Sequence, residues 1–203
     1  DALSDVGDAK LNARILQWDF AQTLRDPRNL YQLNFFHPTR YVLAFSENLY
    51  GIALFGFPLL AAGASALFNY NLLLLLGMFL SAVSAWALAR EVSGDPIASV
   101  VAGLVYAFLP WRFSQLAHLQ FQWAGFLCLS LLFLLRYLER GRRRDAVLFG
   151  ICFAWNALCN VHYALFSGIL FGVTLFVFVL KGDEARGRRL RGAILAAALG
   201  GAV

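Results

Sequence analysis

The chain changes character after its first quarter. Residues 1–47 mix polar and apolar positions, and from there apolar stretches recur at about 48–64, 67–89, 97–111, 122–138, 146–160, 163–180 and from 192 onward, separated by short polar turns. Each of the fuller stretches approaches the ~20 residues an α-helix needs to cross ~30 Å of hydrocarbon. Backbone groups in lipid must be satisfied within the segment, and no stretch has the two-residue alternation of a barrel strand. The pattern therefore predicts an all-α polytopic membrane helix bundle. The 48–64 stretch stands apart because it is short and holds Gly51, Gly56, Pro58 and Gly63. An interfacial or re-entrant helix is predicted there, which would place residues 1–47 outside; a full span would make them cytoplasmic. The last stretch stops at Val203 inside an apolar run and the first residue is Asp1, so the sequence reads as a piece of a longer protein. Its first ten residues are polar and acidic, unlike a cleavable signal.

Within the polar head, residues 8–25 read as an amphipathic helix halted by Asp26-Pro27. At 100° per residue, Leu11, Ile15 and Trp18 form one apolar stripe and Leu16, Phe20 and Leu24 a second, with Asp8, Asn12 and Asp19 between them. Two apolar stripes predict a helix wedged between a lipid surface and the protein body, its acidic stripe facing a cavity. Asp8 and Asn12, one turn apart, are placed to share a ligand. Asp8 and Asp19 are ~16 Å apart along the axis and cannot chelate one ion. The simpler alternative makes Asp8 a helix cap and leaves Asp19 solvated.

Composition narrows the class. Apolar residues are 60% of the 203 and charged residues 14%, against about 45–50% and 25% in soluble domains. So little polar surface cannot cover a globule in water. The net charge of +5 does not imply nucleic acid, because the basic residues gather in short turns between apolar runs. Arg90 closes one stretch, Arg136, Arg140, Arg142, Arg143 and Arg144 close another, and Lys181, Arg186, Arg188, Arg189 and Arg191 follow a third. Such clusters mark cytoplasmic turns that touch anionic lipid. The intervening tips, near Trp111–Trp123 and Asn160–His162, then face outside, with Trp111 and Trp123 in an outer aromatic belt. Cys128, Cys152 and Cys159 all lie in apolar runs without metal-ligand spacing, which predicts buried, reduced thiols. All three histidines, His37, His118 and His162, fall on the expected outer side, as do Asp8, Asp19 and Glu47 if the head is outside. Ionisable groups at a membrane interface are costly and tend to mark functional cavities. Gly-rich phosphate loops, Walker, HExxH and GxSxG motifs are absent from the sequence.

Four segments carry a resemblance: Gly7-Asp8-Ala-Lys-Leu11-Asn12 through Trp18, Asn34-Phe-Phe-His37-Pro38, Leu43-Ala-Phe-Ser46-Glu47, and the run Asn71-Leu-Leu-Leu-Leu-Leu-Gly77. Together with the pattern of spans and loops they resemble bacterial multispanning glycosyltransferases of the GT-C superfamily, relatives of protein O-mannosyltransferases and lipid A aminoarabinose transferases. The resemblance implies a span before Asp1, an extracytoplasmic loop with juxtamembrane helices over 1–47, and a site on the outer face of a bacterial plasma membrane. It also implies inverting transfer of a sugar from a polyprenyl-phosphate donor to a glycan, lipid or protein acceptor. Asp8 matches the essential acidic position of that loop. One departure stands out: the second outer loop, Trp111 to Trp123, lacks the acidic residue of many relatives, leaving His118 or Gln120 in its place. A divalent metal ion remains open as a cofactor, with no ligand set named.

Under that reading the acceptor needs a base as it attacks the anomeric carbon, and Asp8 is the first candidate and Glu47 the second. Glu47 has an alternative role as an acid at a helix N-terminus. The leaving lipid phosphate calls for a cation, and Arg112 or Arg40 supplies a bidentate guanidinium; Arg112 alternatively snorkels to headgroups. Asn12, Asp19, His37, His118 and His162 complete the expected substrate-binding set, although His37-Pro38 also suits a plain turn. Two rival readings remain: a transporter or flippase of a lipid-linked substrate, and a non-catalytic membrane subunit.

Overall fold

The computed structural model describes residues 6–180 and 184–201, with side chains placed for 7–178, 190 and 192–200. The basic cluster at Lys181, Arg186, Arg188, Arg189 and Arg191 lies outside the described side chains. The architecture is all-helical, without strands among the described residues. Helices α1 (Val6–Arg25), α2 (Tyr50–Ala61), α3 (Ala66–Ser93), α4 (Pro96–Ala107), α5 (Pro110–Ser114), α6 (Leu119–Gln122), α7 (Gly125–Arg140), α8 (Arg143–Cys159), α9 (Val161–Leu180) and α10 (Glu184–Gly201) follow one another in chain order.

Local chemistry sets several boundaries. Ser65 caps α3 by accepting from the Phe68 amide at 3.2 Å. The α3–α4 turn is Ser93-Gly94-Asp95-Pro96: Gly94 takes the left-handed conformation that ends α3, and Asp95 caps α4 through the Ala98 amide at 2.8 Å, with Pro96 in the first turn. Four segments, Ala66–Ser93, Pro96–Ser114, Leu119–Arg140 and Val161–Phe178, are long and apolar enough to cross a membrane. α2, at 12 residues, is about 18 Å long and falls short of a full crossing. Phe79, Trp86, Val101, Leu104, Phe166, Ile169 and Phe176 stand out among many large apolar side chains exposed along α3, α4 and α9. Apolar surface on that scale is tolerated where the solvent is hydrocarbon, and the chain is an integral membrane protein.

Small residues set how the helices approach. α4 runs antiparallel to α3, and a Cβ at Gly103 would lie 2.7 Å from the Ala82 carbonyl oxygen. α7 runs parallel to α3. Trp123 lies against Gly77 at one end, Gly125 against Leu80 next to it, and Arg136 meets Glu91 at the other. α8 and α9 form a hairpin about Asn160, with Phe149 and Phe153 packed edge-on against Phe171 at ring separations of 5.2 and 5.4 Å.

Trp123 requires a correction. Expected in an outer aromatic belt, it is 1% exposed, and its indole Nε1–H donates to the Leu73 carbonyl at 3.0 Å. The apolar pocket made by Gly77 and Phe55 draws it inward, while Trp111 stays half-exposed. The bundle thus has two polar ends. One carries α1, the loop 26–49, the turn 108–124 and the α8–α9 junction. The other carries the α3–α4 and α7–α8 turns.

Candidate functional site

α1 builds the first of these ends. Ile15 and Leu16 are fully buried and Leu11, Trp18 and Phe20 partly so, whereas Leu24 is exposed. The stripe between the apolar faces turns toward the protein. Asn12 is buried, and its Nδ2 donates to the Ala117 carbonyl at 2.9 Å. The Tyr70 hydroxyl donates to the Leu116 and Ala117 carbonyls at 3.0 and 3.2 Å. Two helices therefore fasten one turn of backbone immediately before His118.

That fastening brings His118 to Asp8. The imidazole Nε2 lies 2.9 Å from Asp8 Oδ2, and the two side chains are 33% and 43% exposed. The pair is reachable from solvent but backed by packed protein, with Phe121 beside the imidazole at 5.6 Å. His118 Nδ1 is buried and meets no polar group among the described residues, so Nε2 carries the proton that faces the carboxylate when the ring is neutral.

A second pair lies at the same end. Glu47 Oε1 is 2.7 Å from His162 Nδ1, with Glu47 12% and His162 66% exposed. Burial pushes the Glu47 carboxyl above its usual range, opposed by His162 and by the backbone N–H groups of His162 and Val161 at the start of α9. The acid serves a helix N-terminus, that of α9 rather than the α2 start expected from sequence. Beside it lies a cavity of about 370 Å³ lined in part by Tyr31, Glu47, Asn48, Tyr50 and Asn160. Glu47 Oε2 and Asn160 Nδ2 are buried there without a polar partner among the described residues.

Asp19 is fully buried, so the solvated alternative fails. Its Oδ1 accepts from Asn48 Nδ2 at 3.2 Å, and burial pushes its carboxyl up to about 8. Asp8, Glu47 and Asp19 thus each have a partner of their own. Sequence names Asn160 as a hairpin tip without a site role and leaves Asn48 and Tyr70 unnamed, although a polar side chain at the margin of an apolar run is the signal that marks each of them.

The cations divide. Arg112, expected at a lipid-facing mouth, is 3% exposed. Its guanidinium donates to the Phe121 and Gln122 carbonyls at 2.9 and 3.3 Å and stacks 4.8 Å from the Tyr106 ring. The Gln122 amide returns two hydrogen bonds, to the Arg112 and Gln115 carbonyls. The turn 108–124 is locked by this exchange, which engages Nη1 of the guanidinium that was a candidate for phosphate and holds the side chain inside the protein. Arg40 and His37 lie on the exposed loop. Close by, a second cavity of about 380 Å³ is lined by Leu11, Ile15, Phe35, Phe36, Thr39 and Phe45 among others.

Among the described residues, no group of three or more His, Cys, Asp or Glu side chains gathers to hold a metal ion. The Asp8–His118 pair brings two such side chains together. The three cysteines are free and buried. No protein-family model, curated protein or solved structure matches the chain.

Proposed function

We propose that the chain is the membrane module of a glycosyltransferase that moves a sugar from a polyprenyl-phosphate donor to an acceptor at the end of the bundle bearing α1, on the extracytoplasmic face. The observation that carries this reading is the half-open Asp8–His118 pair, 2.9 Å apart. A carboxylate held by an imidazole and still reachable from solvent is suited to take a proton from an acceptor hydroxyl or amine.

In the step envisaged, the acceptor heteroatom forms a bond to the anomeric carbon while its proton passes to Asp8. The bond from that carbon to the phosphate oxygen breaks, and its electron pair leaves with the lipid phosphate. His118 is a positioning residue that fixes the carboxylate. The apolar cavity against Leu11 and Ile15, on the α1 face that carries Asp8, suits the first isoprene units, with exposed Arg40 next to Thr39 to meet the phosphate. Among the described residues, no lysine or arginine lines the cavity at Glu47, which suits a neutral acceptor better than a phosphate.

The test uses the full-length protein in nanodiscs with a panel of undecaprenyl-phosphate-linked sugars, following release of undecaprenyl phosphate. Asp8→Asn and Asp8→Ala are expected to lower turnover by ~10²–10⁴-fold with normal membrane insertion. His118→Gln is expected to lower it less and to shift the pH profile. Undiminished turnover in Asp8→Ala rejects the base.

A further inference from the structure

The arginine-bearing end carries a feature that the sugar-transfer reading does not use. α8 and α10 pack through small residues: a Cβ on Gly200 would lie 2.6 Å from the Gly150 carbonyl oxygen, and one on Gly150 would lie 3.0 Å from that of Ala196. Because the two backbones meet so closely, their larger side chains stand aside and leave a trough of about 580 Å³. Val147 and Ile151 line it from α8 and Leu195 and Leu199 from α10, all of them more than half exposed. Its wall on α8 runs from Arg143 to Ala154, about 16 Å along the helix axis.

The polar mouth of this trough is the first turn of α8. That helix has no side-chain cap; the Asp145 amide is taken by the Arg142 carbonyl, which leaves the amides of Arg143 and Arg144 at its head, and the helix dipole adds positive potential there. Arg142, Arg143 and Arg144 are all exposed at this point, and Arg143 lines the trough itself. Asp145, the acid of the same turn, is buried, so the arginines and not its carboxylate face the mouth. A helix N-terminus with three guanidinium groups binds phosphate oxygens. An apolar channel leading from it along α8 suits a hydrocarbon chain.

We propose that this trough binds one anionic phospholipid, with its phosphate at the head of α8 between Arg142, Arg143 and Arg144 and one acyl chain lying between α8 and α10. The lipid acts as a filler for the small-residue seam and ties α10 to the bundle. The proposal stands independently of the transferase reading.

The experiment takes the full-length protein from nanodiscs of mixed phosphatidylcholine and phosphatidylglycerol into mild detergent and measures retained lipid by native mass spectrometry. One phosphatidylglycerol per chain is expected, preferred over phosphatidylcholine by about tenfold or more. The combined variant Arg142→Gln, Arg143→Gln, Arg144→Gln is expected to lose the preference. Val147→Trp, at an exposed wall position, is expected to lose the retained lipid, with its melting curve in detergent checking that it remains folded. Equal retention of the two lipids by the wild type overturns the proposal, as does phosphatidylglycerol retained undiminished in either variant. Displacement by inorganic phosphate alone also overturns it, since a free-anion site would then explain the binding. If Val147→Trp does not fold, the triple variant decides.

Discussion

The two ends of the bundle handle charge in opposite ways. At one, Glu91 meets both Arg136, at 2.6 Å, and Arg140, while Arg142, Arg143 and Arg144 stand exposed nearby. Exposed arginine gathered in short turns is the pattern from which a cytoplasmic side is expected. At the other end, two acids each pair with a histidine, Asp8 with His118 and Glu47 with His162, and a third acid, Asp19, is buried beside an amide. Most of the acids there are paired or buried, and several polar atoms are sealed from solvent without partners among the described residues. Excess exposed charge serves orientation. Paired, half-buried charge is what a chemical site uses, because low dielectric strengthens each contact.

The contrast can be broken from either side. The largest effect is expected at Trp123, whose buried indole ties the turn 108–124 to α3; Trp123→Ala should destabilise the fold by ~3–5 kcal/mol in denaturant or thermal unfolding in detergent. Asp19 comes next. Its carboxyl ionises near 3.8 in the unfolded chain and at about 8 when folded, so across that window the unfolded state binds fewer protons. Stability must then fall as pH rises from about 4 to about 8. Asp19→Asn should flatten that slope, and an unchanged slope would mean that the decline arises elsewhere. Asn12→Ala removes one of two donors to the Ala117 carbonyl, which should cost ~1 kcal/mol and lower activity in parallel with His118→Gln. The smallest effect is expected at the opposite end. Glu91→Gln should cost ~1 kcal/mol or less, because its arginines are 31% and 40% exposed, and the loss should shrink further in high salt. A larger loss from Glu91→Gln than from Trp123→Ala would reverse the ranking of the two ends.

What could be read from sequence follows from the range over which each physical signal acts. Apolar runs and breakers act locally, so the expected helix at 8–25 compares with Val6–Arg25 and the expected span at 67–89 with Ala66–Ser93. The wheel of α1 sets Asp19 between two apolar stripes, facing a cavity or solvent, and its full burial beside Asn48 lies beyond that signal. Partnerships were out of reach. Asp8 and His118 are far apart in the chain, and Glu47 and His162 are 115 residues apart; sequence could place them at one end of a bundle but not match acid to histidine. Arg112 and Trp123 misled for a related reason. Both are amphipathic residues beside apolar runs, where lipid headgroups compete with backbone carbonyls, and the pocket at Gly77 and the carbonyls of Phe121 and Gln122 won.

The sealed state of the three thiols has a practical consequence. Cys128, Cys152 and Cys159 are 4%, 7% and 1% exposed, so a bulky maleimide that cannot pass the bilayer should find nothing to react with on the unaltered folded chain. Within these 203 residues the native thiols then add no background to sidedness mapping. A reporter thiol at exposed Ala21 and another at exposed Arg143 need no prior removal of native sulfur. In intact cells the first should be modified and the second spared, fixing which way up the molecule sits.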